Sequence, residues 1–294
     1  MRVLCLAGAI LATSMISAPA QIRLTPAVRS QPVPTDADDP AIWRNEADPA
    51  RSLVIATNKV AAPAGAIVVY DLEGRILQTI EGLDRPNNVD VQQGVPWGAE
   101  RLDLVVATER LKSQLRVWRV DPAARRLVAV GAVPVFDGET GQAAMPMGIA
   151  LYLRPADGAL FAVVSPKTGG PDNYLAQYRL APVPGRRPGT AMPAGVTGTL
   201  VRRFGTFSGM TAGAEGENEI EAVLVDDALG YVYYSDEHTA VRKYHADPAA
   251  PGASRELAAF ARDGFTGQRE GLGLYALDAR TGFIVVTDQV DGGS

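Results

Sequence analysis

One short pattern recurs along this chain and restricts what it can fold into. A run of β-branched or aromatic residues ends abruptly on polar or charged ones. It occurs at Val54-Ile55-Ala56-Thr57-Asn58-Lys59, Val105-Val106-Ala107-Thr108-Glu109-Arg110 and Val163-Val164-Ser165-Pro166-Lys167, then at Tyr233-Tyr234-Ser235-Asp236-Glu237 and Val285-Val286-Thr287-Asp288-Gln289. A second strand signal follows the first four at short range, at Ile67 to Tyr70, Leu115 to Trp118, Leu175 to Tyr178 and Val241 to Tyr244. Alternating, β-branched and aromatic content predicts strands at each place. Turn signals such as Leu72-Glu73-Gly74, Ala156-Asp157-Gly158 and Ala279-Arg280-Thr281-Gly282 separate them. Repeats of roughly 50 to 70 residues, each worth a four-stranded sheet, predict an all-β propeller. No segment has a long helical period with good caps, which argues against α/β folds. A β-sandwich with chance likeness among its strands is the competing architecture.

At 294 residues and 47% hydrophobic, the chain can bury a large core as one propeller domain. A net charge of −5 disfavours a nucleic-acid partner, whose phosphates need a basic surface. Residues 1–20 read as a secretory signal: Arg2, an apolar Val3 to Ile16, then the small-residue site Ala18-Pro19-Ala20. Export to the periplasm or medium is therefore expected, with the propeller over residues 21–294 and no membrane span. The only cysteine, Cys5, leaves with the signal, so oxygen ligands are the route to a metal. Residues 181–200, rich in Pro and Gly, read as a loop between blades. The fifth unit breaks off at Asp291-Gly292-Gly293-Ser294 before its second strand, so the last blade is expected to be incomplete.

The ends of the recurring runs hold Lys59, Arg110, Lys167, Glu237 and Asp288, which a propeller would gather around its axis. Four lysines stand against twenty-four arginines, and two of those four end equivalent runs. Converging Lys and Arg suit a phosphate, Arg as a planar fork and Lys as a point charge; solvated loop charges are the plainer reading. Acidic groups form two clusters, Asp36-Ala37-Asp38-Asp39-Pro40 and the alternating Glu215, Glu217, Glu219 and Glu221. An extended backbone would place those four glutamates on one face, where solvent or a hard cation such as calcium must offset their repulsion. His238 and His245 lack zinc-site spacing and read as surface residues. No nucleophile elbow, Ser-His-Asp order or P-loop is present.

These segments resemble the β-propeller phytases, the alkaline calcium-dependent phytate hydrolases. The pieces that carry the likeness are Asp38-Asp39-Pro40-Ala41-Ile42-Trp43, Thr57-Asn58-Lys59, Val68-Val69-Tyr70-Asp71-Leu72-Glu73-Gly74 and Asn87-Asn88-Val89-Asp90. Glu221 with Val225-Asp226-Asp227-Ala228-Leu229-Gly230-Tyr231-Val232-Tyr233, and Glu270-Gly271-Leu272, complete them. The resemblance implies a six-bladed propeller with several calcium ions at its mouth and a calcium phytate or similar phosphate monoester as small-molecule substrate. It implies that Lys59, Arg110 and Lys167 bind phosphate and act in catalysis with Glu221. Asp38, Glu221, Glu237 and Glu270 correspond to carboxylates of the active-site calcium cluster. Asp39 and Asp90, with the carbonyls of Pro40 and Val89, correspond to a structural calcium site. The sequence departs from the family at Met147, where a tyrosine is expected, and at Gln268, where an aspartate is expected. A family glutamate has no counterpart near Arg29 to Gln31. Two other classes compete: a lactonase-like calcium propeller, which needs one chelated ion and no converging cations, and a non-catalytic binding propeller.

Overall fold

The computed structural model describes residues 25–183, 195–209 and 219–290. The expected signal segment with Cys5, the carboxylates Glu215 and Glu217, and residues 291–294 lie outside the described residues.

Among the described residues, all the strands pair antiparallel with their chain neighbours, giving four four-stranded sheets and a hairpin. The first sheet contains β1 (Ala37–Trp43), β2 (Leu53–Asn58), β3 (Gly65–Tyr70) and β4 (Ile76–Leu83). The second contains β5 (Pro86–Trp97), β6 (Glu100–Glu109), β7 (Gln114–Asp121) and β8 (Arg126–Pro134). The third contains β9 (Pro146–Leu153), β10 (Leu160–Pro166), β11 (Asp172–Pro182) and β12 (Val196–Thr206). The fourth contains β13 (Val223–Asp226), β14 (Tyr231–Asp236), β15 (Ala240–His245) and β16 (Ala258–Phe260). The hairpin is β17 (Leu272–Ala276) with β18 (Gly282–Val286). The innermost strands β1, β5, β9, β13 and β17 all line one axial cavity of about 580 Å³. This is propeller architecture, with the recurring motif on the second strand of every unit.

The motif's two halves do different work. Its apolar part packs in the seams between blades, because a strand with a sheet on either side buries both faces. One seam joins the first two sheets through Trp43, Leu53, Ile67, Val105 and Trp118. The next joins the second and third sheets through Leu104, Leu115, Leu151 and Leu160. A third joins the third and fourth sheets through Tyr152, Phe161, Phe204 and Tyr234. The hydroxyl in the motif ties strands at the axis. Thr108 Oγ1 accepts from Asn88 N in its own sheet (3.0 Å) and donates to the Met147 carbonyl of the next (2.7 Å). Ser165 Oγ accepts from Gly148 N (2.9 Å) and donates to the Ile220 carbonyl, and Ser235 Oγ donates to the Arg269 carbonyl. In the first sheet Thr57 Oγ1 accepts from Asp39 N at 3.1 Å. Gly148 must be glycine here, because a Cβ would collide with the Glu221 carbonyl of the neighbouring blade.

Two expectations change. Residues 181–200 do not connect blades: they span the end of β11 and the start of β12, which pair with each other inside the third sheet. His238 and His245 are half-buried rather than surface residues. His245 stacks on Tyr231 with centroids 5.7 Å apart, and His238 Nε2 lies 3.2 Å from the Gln268 amide.

Candidate active site

Two residues past each motif hydroxyl, the chain bonds back to the start of its own innermost strand. The bonds are Lys59 N to Asp36 O (2.8 Å), Arg110 N to Arg85 O (3.0 Å) and Lys167 N to Met145 O (2.8 Å), followed by Glu237 N to Glu219 O (3.3 Å) and Gln289 N to Gln268 O (2.8 Å). These bonds define equivalent positions, and Lys59, Arg110, Lys167 and Glu237 all occupy one of them. The fifth equivalent is Gln289, so the expectation for Asp288 is corrected by one residue. In extended chain that slip sends the side chain to the opposite face. Asp288 is exposed and instead accepts from Thr266 N and Gly267 N at 2.9 and 2.8 Å.

The same register identifies a second ring two residues into each innermost segment: Asp38, Asn87, Met147, Glu221 and Glu270. The two rings meet in a mouth of about 320 Å³ lined by Lys59, Arg85, Arg110, Lys167, Glu221 and Glu237 together with Met147, Glu219, Gln268 and Glu270. Its charge is divided. The first three sheets supply the basic groups, and the fourth sheet and hairpin supply four glutamates. Lys59 pairs with Asp38 and stands 3.9 Å from Glu221 Oε1, while Lys167 pairs with Glu219. Asn87 Nδ2 donates to Glu221 Oε1. Arg110 is buried, with Nη2 against the Met147 sulfur.

Burial and like charge at the half-dry mouth favour the protonated forms of Glu237, Glu270 and Asp38. Burial, then Glu270 and Glu221, pushes Glu237 up to about 9. Burial and Glu221 raise Glu270 to about 7. For Asp38, burial and Glu221 outweigh Lys59 and bring it to about 6. Lys59 is held above its usual value: burial works against its charge, but Glu221 and Asp38 more than offset this. Burial, followed by Arg85, lowers Arg110.

Below the mouth, Asp39 and Asp90 line the axial cavity with Pro40 and Val89. Asp39 Oδ2 accepts from Val89 N (2.8 Å), and Asp90 Oδ2 accepts from Leu151 N (2.7 Å), so each carboxylate bridges to the next blade. Burial raises Asp39 to about 7 and Asp90 to about 6 against these bonds. Further along, Asp227 bridges back to the two preceding blades, accepting from Leu153 N at 3.0 Å and from Gln92 Nε2 at 2.9 Å.

The residues suit a hard cation in one specific respect. Among the described residues, Asp38 Oδ2, Asn87 Oδ1, Glu237 Oε1 and Glu270 Oε2 are buried acceptors with no hydrogen-bond donor. Buried acceptors left bare are costly, and a divalent ion with oxygen preference satisfies several at once. Among the described residues no three Asp, Glu, His or Cys side chains converge as a preformed cage. Such an ion would therefore draw further oxygens from water and substrate.

Sequence reasoning passed over Arg85 and Asn87 as site residues and placed Glu219 only in an acidic cluster. A fixed offset was available to find them, since Asp36, Arg85, Met145, Glu219 and Gln268 each stand two residues before the ring of Asp38. The segment Arg29 to Gln31 lies away from the mouth: Gln31 N donates to Gly74 O (2.7 Å), and its side chain accepts from Ile76 N (2.7 Å).

Among solved structures, a 6-phosphogluconolactonase-like protein from Bacteroides fragilis is 12% identical with a TM-score of 0.49, covering 85% of this chain and 64% of that one. The periplasmic gluconolactonase of Pseudomonas aeruginosa is 16% identical with a TM-score of 0.46, covering 81% and 60%. The 3-phytase of Bacillus subtilis (strain 168) is 29% identical over 255 residues, which is 86% of this chain and 59% of that protein, so the chain spans less than two thirds of that relative. The sequence model of the phytase family matches residues 1–293, and the chain belongs to that family.

Proposed function

We propose that this protein is an exported, calcium-dependent phosphomonoester hydrolase of the 3-phytase type that acts on phytate, myo-inositol hexakisphosphate. One observation carries the reading: basic groups on one side of the mouth face carboxylates with unsatisfied oxygens on the other. A lactonase would have no use for that many converging cations.

Lys59, Arg110 and Lys167 would hold the phosphate oxygens, as charge-assisted contacts in a partly dry site are strong. Asp38, Glu221, Glu237 and Glu270 would hold calcium at the mouth, and Asp39 and Asp90 with the Pro40 and Val89 carbonyls a further ion in the cavity. Bound calcium supplies positive charge toward phosphate oxygens and lowers the pKa of water. Lys59 and Lys167 are paired with Asp38 and Glu219 before substrate arrives, so binding requires them to exchange one anion for another. A cation drawing on those carboxylates would free the lysines for phosphate. Glu221 sits beside Lys59 and under the Asn87 amide, where it can orient the attacking water and take its proton. Met147 offers no hydroxyl at its ring position, which leaves phosphate orientation to the basic groups.

A six-bladed ring, with β17 and β18 as the inner half of the fifth blade, is the closed form we assign to this propeller. Export to the periplasm or medium is part of the proposal. The test is phosphate release from calcium phytate, with p-nitrophenyl phosphate and a lactone in parallel. Chelator-sensitive release from phytate supports the reading, and turnover of the lactone alone would replace it.

A further inference from the structure

The two lysines of the mouth are neutralised by carboxylates, but the two arginines are not. Arg85 and Arg110 line the same opening, and neither makes an ion pair among the described residues. The Nε of each is buried without a hydrogen-bond acceptor. They are close enough for Arg85 to work against the charge of Arg110. Two guanidinium groups in one half-dry cavity without an anion between them are an unfavourable arrangement that folding alone does not require.

The backbone at Arg85 adds a second, independent cost. Its φ is +60°, in the left-handed region where a side chain is strained and glycine is favoured. Hydrogen bonds on both sides fix it there, Arg85 N to Val60 O at 3.0 Å and Arg110 N to Arg85 O at 3.0 Å. The equivalent positions of the other units carry Asp36, Met145, Glu219 and Gln268, so nothing in the blade geometry calls for a cation. Strain held in place by surrounding structure gathers at functional sites.

We propose that Arg85 and Arg110 form a two-arginine phosphate dock, with Arg85 positioning substrate beside the lysine cluster. This inference deepens the phosphatase reading above and adds a site residue to it. The ligand class is a phosphate dianion, whose oxygens match paired planar forks. Because the arginines are not tied to carboxylates, the dock is ready in the calcium-free protein, whereas Lys59 and Lys167 must first leave their partners.

The test is calorimetric titration of the full chain with inorganic phosphate in chelator-treated buffer, comparing wild type with Arg85→Gly and Arg85→Gln. Glycine accepts the positive φ and glutamine keeps a polar side chain and the strained backbone without the charge, so the two variants separate backbone from charge effects. Both should weaken phosphate binding by about tenfold to a hundredfold, as for loss of one charge-assisted contact. Arg85→Gly should melt at the same temperature as wild type or higher, because strain and like-charge repulsion are both relieved. With calcium phytate, both variants should raise KM far more than they lower kcat. Wild-type phosphate affinity in both variants overturns the dock, as does failure of the calcium-free wild type to bind phosphate. Arg85-dependent phosphate binding without any phytate turnover would leave the dock standing and remove the proposed enzyme activity instead.

Discussion

Replacing Glu237 by glutamine should have opposite effects with and without calcium. The side chain is 2% exposed, and its carboxyl is raised from 4.5 to about 9. Because the folded-state pKa lies above the unfolded one, the folded chain retains a proton between about pH 4.5 and 9 that the unfolded chain releases. Stability of the calcium-free protein therefore falls as pH rises through that window, by up to ~1.4 kcal/mol per pH unit from this group. At pH 7.5, three units above the unfolded value, the penalty is about 4 kcal/mol. Glutamine is nearly isosteric, can still accept from Glu219 N, and has no proton to lose. In chelator, Glu237→Gln should match wild type near pH 4.5 and pull ahead with rising pH. At pH 7.5 the gain should be roughly 8–16 °C in Tm for a chain of this size. In millimolar calcium the order should reverse or the gain vanish, because the variant loses a charged ligand that binds the folded state. Thermal melts across pH 4.5–9, with chelator and then with calcium, check both halves. Parallel pH profiles for the two proteins in chelator would show that Glu237 ionises normally and refute the reasoning.

Lys59→Ala and Lys167→Ala should each lower phosphate release by about tenfold to a thousandfold while retaining a cooperative melt; unchanged kinetics in both would return these lysines to a structural role. Thr108→Val keeps the shape of a fully buried side chain but strands Asn88 N and the Met147 carbonyl. It should cost about 2–4 kcal/mol in denaturant unfolding, and a cost below about 0.5 kcal/mol, the usual surface range, would mean that the hydroxyl bonds add nothing. The hairpin leaves Tyr275 62%, Phe283 61% and Val285 54% exposed, a surface that favours association. Phe283→Lys with Val285→Lys should shift the chain toward monomer in analytical ultracentrifugation, and an unchanged distribution would place any self-association elsewhere.

The second strands were legible in the sequence because burial on both faces writes them as unbroken apolar runs. Each also ends on a polar signature that marks its position. The innermost and outermost strands were harder to read. β13 is four residues of mixed exposure and β16 only three, too short for any period to register. β12 was hidden by the Pro- and Gly-rich segment before it, and its face is mostly exposed, so the alternation that marks a half-buried strand is weak. At the site, residue type singled out Lys59, Arg110, Lys167 and Glu237, which the fold gathers at one mouth. Asp288 illustrates the limit of reading by type: a carboxylate one position out of register faces the wrong way. Arg85 was missed for the converse reason, since its significance lies in a backbone angle and in the lack of an ion-pair partner among the described residues, and neither is written in residue type.

The hydroxyl joint between blades has a consequence for how such a mouth can change. On the receiving side the bond is made to a main-chain carbonyl, at Met147, Ile220 or Arg269, so it is indifferent to which side chain that residue carries. These joints make no use of the side chains of the ring residues Asp38, Asn87, Met147, Glu221 and Glu270. Their variety, two glutamates, an aspartate, an amide and a thioether in equivalent places, is what an uncoupled layer permits. Substitution there can retune which ions and anions the opening accepts, while the frame beneath it is joined by bonds that do not register the change.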